Sequence, residues 1–293
     1  MRNLDAKKLL FVGFGQIAEK CVQEFQQSGA EIYAIGRRKR DIAGVTYWQG
    51  DIRSFEVLGR IAKENFDSII ITLSPDEYTA HAYESTYLHS VNALLGLWPK
   101  GRASSPRIIF ISSTSVYHQN DGEWVDENSP TNPVSDTAKI LLATEQLVRD
   151  YDGCGIVLRF SGIYGPGRDY LLRQVWKGEG GSEQYTNRVH IDDCVGSIVH
   201  VVGLHDHECE SIYLVSDKTP VKSQDIRRWL AAELGKDPDS LSMTASASQR
   251  GGNKLCNAGR IEASGFRFIY PDFREGYQEA IRQFLKDVKG QAA

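Results

Sequence analysis

The sequence predicts an α/β fold, a doubly wound parallel sheet with a small C-terminal α/β lobe, and three observations lead there. Short β-rich apolar runs (KLLFVG, EIYAIG, VTYWQG, SIIITL, RIIFIS and GIVLRF) alternate with helix-forming stretches through the first half. The runs are apolar on consecutive residues, as strands covered on both faces must be. The first run enters its helix through a glycine turn, GFGQIA.

Taken in order, KLLFVG is the opening strand. The stretch QIAEKCVQEFQQSG carries Ile17, Cys21, Val22 and Phe25 at helical spacing and stops at Gly29, so it reads as an amphipathic helix with a glycine end. The other five runs follow as strands, with helical patterns between most of them, which is the grammar of a parallel sheet with helices on both sides. After about residue 160 the turn-rich SGIYGPGR and KGEGGSEQ interrupt the rhythm. NRVHIDDCVGSIVHVVG restores a strand and helix, SIYLVSD adds a strand, and SQDIRRWLAAELG through REGYQEAIRQFLKD is helical around a loop, SASQRGGNK. The expected division is residues 1–160, with 186–218 returning to them, as a Rossmann-type domain, and 161–185 with 219–293 as the smaller lobe. No internal repeat is visible, which excludes solenoids and propellers.

The 293 residues are 41% hydrophobic and 25% charged, enough for a sizeable core, and the net charge of -4 provides no broad basic field for nucleic acid or an anionic membrane. Small molecules are the expected partners. The start runs quickly into Gln16, Glu19 and Lys20, which argues against a signal peptide, and no run is long enough to span a membrane. Five scattered cysteines (Cys21, Cys154, Cys194, Cys209 and Cys256), with no C-x-x-C, argue against a disulfide framework or a zinc site and for a reducing cytoplasm. In LHDHECE, His205, His207, Glu208 and Cys209 read as a solvated turn, and no metal is expected there.

The glycine turn has the order strand, Gly13-x-Gly15-x-x-Ala18, helix. Gly13 permits the tight turn, Gly15 lets a pyrophosphate reach the backbone, and Ala18 keeps helix and strand close. Gln16, Ile17 and Ala18 thus begin the helix whose positive end faces the phosphates. An acid that binds a ribose diol would lie about 20 residues on, at the end of the second strand. Gly36 stands there instead, followed by Arg37 and Arg38, and guanidinium groups suit a ribose phosphate better than a bare diol. NADP is therefore expected ahead of NAD, against a plain solvated basic turn. Asp51 in GDIRS is read as an adenine contact or a helix cap.

Together GFGQIA, GDI, ISSTSVY, GEWVDENSPTNP, LRFSGIYGPGR, RVHIDDCVGSIV, IYLVSD and NKLCNAGRIEASGFRFIYPDFREGY resemble an extended short-chain dehydrogenase/reductase of the NAD-dependent epimerase/dehydratase group. The G-x-G-x-x-A turn points to its atypical branch. The resemblance implies that Ser113 orients a substrate carbonyl, that Asn92 is the helix asparagine, and that Lys139 binds the nicotinamide ribose. It adds Leu73 to the cofactor contacts, and Ser74, Thr114, Gly162 and His190 to the substrate side. It also implies a homodimer through helices around residues 80–97 and 136–150. Two departures stand out: the family tyrosine four residues before the lysine is Ser135 here, and Gly162 replaces the asparagine usual in sugar-nucleotide enzymes, which weighs against such a substrate.

A serine hydroxyl is a far weaker acid than a phenol beside a lysine. Three readings follow. Tyr117 or Tyr164, adjoining family site segments, delivers the proton in an NADP-dependent oxidoreductase or epimerase/dehydratase acting on a small polar carbonyl or alcohol. Alternatively the protein holds NADP without chemistry, as a sensor or scaffold. More remotely, Ser135 and Lys139 form a hydrolytic dyad. His190 is read equally as a substrate neighbour or as a side chain packed beneath a helix capped by Asp192 or Asp193. NDGEWVDENSP is expected to be an exposed loop anchored by Trp124.

Overall fold

The structure, a computed structural model, describes residues 7–100, 105–242 and 252–291. Most of the predicted loop SASQRGGNK lies outside the described residues. The strands are β1 (Lys8–Val12), β2 (Glu31–Gly36), β3 (Val45–Gln49), β4 (Ser68–Ile71), β5 (Arg107–Ser113), β6 (Glu123–Val125), β7 (Gly155–Phe160), β8 (Gly162–Tyr164), β9 (Tyr185–Thr186), β10 (Arg188–His190), β11 (Ile212–Val215), β12 (Val221–Lys222) and β13 (Lys254–Cys256). The helices are α1 (Gln16–Gln26), α2 (Phe55–Ile61), α3 (Ala80–Tyr83), α4 (Ser90–Leu95), α5 (Asp136–Arg149), α6 (Tyr170–Trp176), α7 (Ile191–Gly203), α8 (Ser223–Glu233), α9 (Gly259–Ala263) and α10 (Phe273–Gln291). A π-helical turn, Glu84–His89, joins α3 to α4. No helix among the described residues is long and apolar enough to cross a membrane.

The chain divides into two compact units: residues 1–116, 131–159 and 195–213, and residues 117–130, 160–194 and 214–293. A seven-stranded parallel sheet, in the order β11-β7-β5-β4-β1-β2-β3, dominates the first. The consecutive apolar residues that predicted two-sided burial account for its middle: Leu9, Leu10, Phe11, Ile69, Ile70, Ile71, Ile108, Ile109 and Phe110 are fully buried. Each such side chain contributes roughly 1.5–3 kcal/mol. The edge strand β3 differs, none of its residues being fully buried, because only β2 flanks it. Helix α1 turns Ala18, Cys21, Val22 and Phe25 inward, and Ser54 caps α2 by accepting from the Val57 N–H at 3.2 Å. Between β1 and β4 the strand order reverses, and such a reversal opens a crevice beyond the carboxyl ends of the strands.

The second unit is built from short pairings: β8 with β10 and β6 with β13, both parallel, and β9 antiparallel to β12. Its core gathers Leu172 and Val175 of α6, Ile226 and Leu230 of α8, and Phe273, Tyr277, Ile281 and Phe284 of α10. The segment expected as a loop anchored by Trp124 is in part the strand β6, and Trp124 is 61% exposed. β6 is held by its backbone register with β13.

Candidate functional site

The crevice of the first unit is a cavity of about 570 Å³ that runs from Gly13, Phe14 and Gly15 past Gly36, Arg37, Arg38 and Arg40 to Asp51, Arg53, Leu73, Ser74 and Asp76. Its floor is the turn after β1. Gly13 has φ +91°, and a Cβ there would lie 2.9 Å from the Leu73 nitrogen, so both backbone and space demand glycine. The turn is tied down by the Gly13 N–H on the Ile35 carbonyl at 3.0 Å and by the Thr72 hydroxyl, which donates to the Gly13 carbonyl at 2.7 Å.

Gly15 is different. Its backbone is extended, and a Cβ would meet nothing within 4 Å. Its missing side chain therefore leaves space that the protein itself does not fill. Gly15 also precedes α1 with no side-chain cap, so no capping side chain of the protein neutralises the positive end of the helix. Ala18 is fully buried, while Gln16 and Ile17 are half-buried. An open cradle, an uncapped helix end and a close-packed third position fit the pyrophosphate of a dinucleotide.

At the mouth, Arg37 forks onto Asp76 at 2.6 and 2.8 Å, and this contact holds the Asp76 carboxyl below the usual range. Both side chains are more than half exposed, so the pair contributes little to stability and can yield to a stronger anion. Asp51 is engaged by Arg53, whose hydrogen bonds lower its carboxyl. Arg38 has no hydrogen-bonded side-chain partner among the described residues, and its carbonyl accepts from Tyr47 at 2.7 Å. A Cβ on Gly36 would lie 2.3 Å from that same Tyr47 hydroxyl, so an acid at the end of β2 would have to displace the Tyr47 side chain.

In the same unit, the exposed Ser135 is the N-cap of α5. Its Oγ accepts from the Ala138 N–H at 3.3 Å and lies 3.3 Å from the Thr137 hydroxyl. Lys139, one turn on, is exposed and pairs with Asp136 at 3.1 Å. The Lys139 N–H donates to the Ser135 carbonyl at 3.0 Å, the first bond of the helix, but no hydrogen bond joins their side chains among the described residues. The Thr137 hydroxyl in turn donates to the hydroxyl of Tyr78 at 3.4 Å. Tyr78 sits in the loop after β4 next to the cavity-lining Glu77, and it is 48% exposed. A phenol thus stands beside the serine-capped turn. Chain order gave no signal of it, because 59 residues separate Tyr78 from Thr137.

Ser113, at the end of β5, accepts from the Ser115 N–H at 3.1 Å, and Thr114 beside it is buried. Asn92 lies on the exposed face of α4. Below them Glu145 accepts from Ser112 at 2.6 Å and from the Arg159 guanidinium at 2.6 and 3.1 Å, fastening α5 to the neighbouring strands.

The other expected residues belong to the second unit. Tyr117 is 2% exposed and donates its hydroxyl to the Asp126 carbonyl at 2.7 Å. Tyr164 is 3% exposed and stacks on Tyr277 at 4.4 Å; its hydroxyl has no hydrogen-bond partner among the described residues, and burial pushes the phenol up. His190 is 1% exposed, with its ring 4.0 Å from Tyr270 and its Nδ1 accepting from the Asp192 N–H at 3.2 Å. Gly162 is exposed, its N–H on the Asn187 carbonyl at 3.1 Å. Asp193 accepts from the N–H groups of Ile269 and Tyr270 at 2.6 and 3.1 Å, a clamp on the backbone rather than a reacting group.

Beside this cluster lies Asp217, 1% exposed, with one carboxyl oxygen unpartnered among the described residues. Burial pushes it up to about 7, opposed by Arg188 and the Thr219 N–H. Its folded value lies above the unfolded one, so the folded chain keeps a proton that the unfolded chain releases. Stability therefore falls as pH rises from about 4 through 7, by roughly 4 kcal/mol at about 1.4 kcal/mol per pKa unit. Asp193, pushed up to about 6 by burial, adds a smaller slope of the same sign. Urea unfolding at a series of pH values should show wild type losing stability across this window and Asp217→Asn losing much less. Parallel curves would contradict the assignment.

Residues 10–209 match the sequence model of the NAD dependent epimerase/dehydratase family. Protein YeeZ of Escherichia coli (strain K12) is 30% identical over 210 residues, which cover 70% of this chain and 72% of that protein. A Methylobacillus flagellatus protein classed as an NAD-dependent epimerase/dehydratase superposes with a TM-score of 0.79 at 29% identity, over 96% of this chain and all of the other. At 18% identity, the dTDP-glucose 4,6-dehydratase of Bacillus anthracis str. Ames, solved in complex with NAD, shares the fold with a TM-score of 0.79 over 97% and 98% of the two chains.

Proposed function

Because the chain belongs to the NAD dependent epimerase/dehydratase family, we propose that it binds a nicotinamide dinucleotide in the cavity above Gly13 and Gly15, NADP ahead of NAD, and acts on a small polar carbonyl or alcohol. The observation that carries the cofactor reading is the open space at Gly15 combined with the uncapped helix end. The NADP preference rests on Arg37 and Arg38 standing where an acid would read a ribose diol. When bound, the nicotinamide gives or takes a hydride at the substrate carbon. Lys139 on the first turn of α5 would hold the nicotinamide ribose, and Ser113 would orient the substrate oxygen.

In this reading Ser135 stands in the place of the family tyrosine and caps α5, and Tyr78 supplies the phenol. Its hydroxyl is linked through Thr137 to Ser135. Tyr117 is poorly suited, since its proton is already donated to Asp126 in a buried setting. The same facts favour a second reading, a protein that holds NADP without turnover, because both tyrosines first expected to deliver the proton are buried.

Two measurements separate these readings. Titration with NADPH and NADH should show tighter binding of NADPH, and Arg38→Ala should erode that preference by about tenfold, since one charge-assisted hydrogen bond is worth about 1.5–3 kcal/mol. With whichever nucleotide binds, a panel of carbonyl substrates should reveal turnover. Tyr78→Phe should then lower kcat by about 100-fold or more with nucleotide affinity unchanged, the range for loss of a general acid. Turnover indifferent to Tyr78→Phe removes its role, and tight binding without turnover supports the second reading.

A further inference from the structure

We propose that Cys154 and Cys209 form a redox pair that a small hydroperoxide converts to a disulfide, stapling the amino ends of two neighbouring strands in the sheet. The contact between the two thiols at the start of paired strands carries the argument. The Val157 N–H bonds the Ser211 carbonyl at 2.9 Å, and the Ser161 N–H bonds the Val215 carbonyl at 3.1 Å. Both partners advance by four residues, so β7 and β11 run parallel with Val157 opposite Ile212. Cys154 is the residue just before β7, and the chain bends at Ser211 before entering β11, so Cys209 comes to Cys154 through its side chain and not along the strand line. The two thiols are hydrogen-bonded to each other, and the Asp206 carboxylate that bonds Arg107 also meets the Cys154 thiol. Two thiols in contact are within a small shift of the short Cβ separation that a disulfide accepts.

The neighbouring strand supplies a charge on the same row. The Ile108 N–H bonds the Cys154 carbonyl at 2.8 Å, which sets Arg107 of β5 opposite Cys154. Arg107 is held in place by the carbonyls of Val201 and Leu204 at 2.6 and 2.8 Å and by Asp206 at 2.5 Å. Cys209 lies in the same turn, with its thiol donating to the His205 carbonyl at 3.3 Å. The Cys209 thiol beside it, then the Arg107 charge, draw the Cys154 thiol below its ordinary value, while the hydrogen bond to Cys154 and burial push Cys209 up. Asp206 opposes the effect on Cys154 without reversing it. Access separates this pair from the other three thiols: Cys21, Cys194 and Cys256 are buried, whereas Cys154 and Cys209 are half-buried beneath an exposed turn at residues 205–208.

The chemistry balances with the peroxide as oxidant. The Cys154 thiolate attacks one oxygen of the hydroperoxide, the O–O bond breaks, and Cys154 becomes a sulfenic acid; the leaving oxygen takes up the proton that the thiol released and departs as water, or as the alcohol of an alkyl hydroperoxide. The Cys209 thiol then attacks that sulfur, the S–O bond breaks, and water leaves with the disulfide formed. Two thiols lose two electrons and one peroxide gains them.

The test uses the full chain and hydrogen peroxide. After a brief stoichiometric exposure, free thiols are alkylated under denaturing, non-reducing conditions and the peptides are mapped by mass. The expected result is a linked Cys154–Cys209 peptide, the loss of two of the five alkylatable thiols, recovery of both on reduction, and a raised thermal midpoint. In Cys209→Ser, dimedone should trap a sulfenic acid on Cys154; in Cys154→Ser, no intramolecular link should form. Cys154 and Cys209 remaining alkylatable to the same extent as Cys21 and Cys194 would overturn the proposal. So would peroxide linking Cys154 to a different partner.

Discussion

Replacing Glu145 with alanine is expected to destabilise the protein by about 3–5 kcal/mol, the cost of removing one partner of a buried ion pair. Arg159 and Glu145 are 2% and 1% exposed, so water cannot take the place of the lost carboxylate at the guanidinium. Glu145 also accepts the Ser112 hydroxyl at 2.6 Å, and its removal orphans that buried donor. The carboxylate joins α5 to β5 and β7 at one point, so the loss reaches the helix that carries Ser135 and Lys139. Against a typical total stability of about 5–15 kcal/mol, this is a large share. Denaturant unfolding is the check. The double replacement Glu145→Leu with Arg159→Met should recover most of the loss, because it removes the buried charge as well. A single variant within about 0.5 kcal/mol of wild type, the range of ordinary surface changes, would refute the role given to the pair.

Gly15→Val should leave the fold intact and lower dinucleotide affinity by at least about 100-fold, or about 2.7 kcal/mol. The backbone there is extended, which valine adopts freely, and a Cβ finds nothing within 4 Å. The added side chain therefore fills only the space assigned to the phosphates. Gly13→Val behaves differently: with φ at +91° and the Leu73 backbone 2.9 Å from the new Cβ, it should lower the thermal midpoint as well as binding. Comparing the two variants by thermal melting and nucleotide titration separates loss of a ligand contact from loss of structure.

The sheet was legible because its signals are local. Consecutive apolar residues mark β1, β2, β4, β5 and β7, and GFGQIA marks the turn between β1 and α1. What escaped was set by contacts between distant segments. The pairing of β6 with β13 joins three-residue strands about 130 positions apart, too short to show a period. Trp124 looked like an anchor by residue type, although β6 is held by its backbone. Tyr117 and Tyr164 adjoin site motifs along the chain, but their burial is decided by Asp126 and Tyr277. Tyr78 in SPDEYTA reaches Thr137 only through folding. The arginines after β2 were readable, whereas the partner of Arg37, Asp76, was not.

Calorimetric titration of the purified chain with NADPH, with Gly15→Val run beside it, tests the central claim most directly. The account predicts saturable binding of one nucleotide per chain in wild type, with NADH weaker and the valine variant silent although still folded. Wild type that gives no heat with either nucleotide at millimolar concentration, or a valine variant that binds as well as wild type, would contradict it.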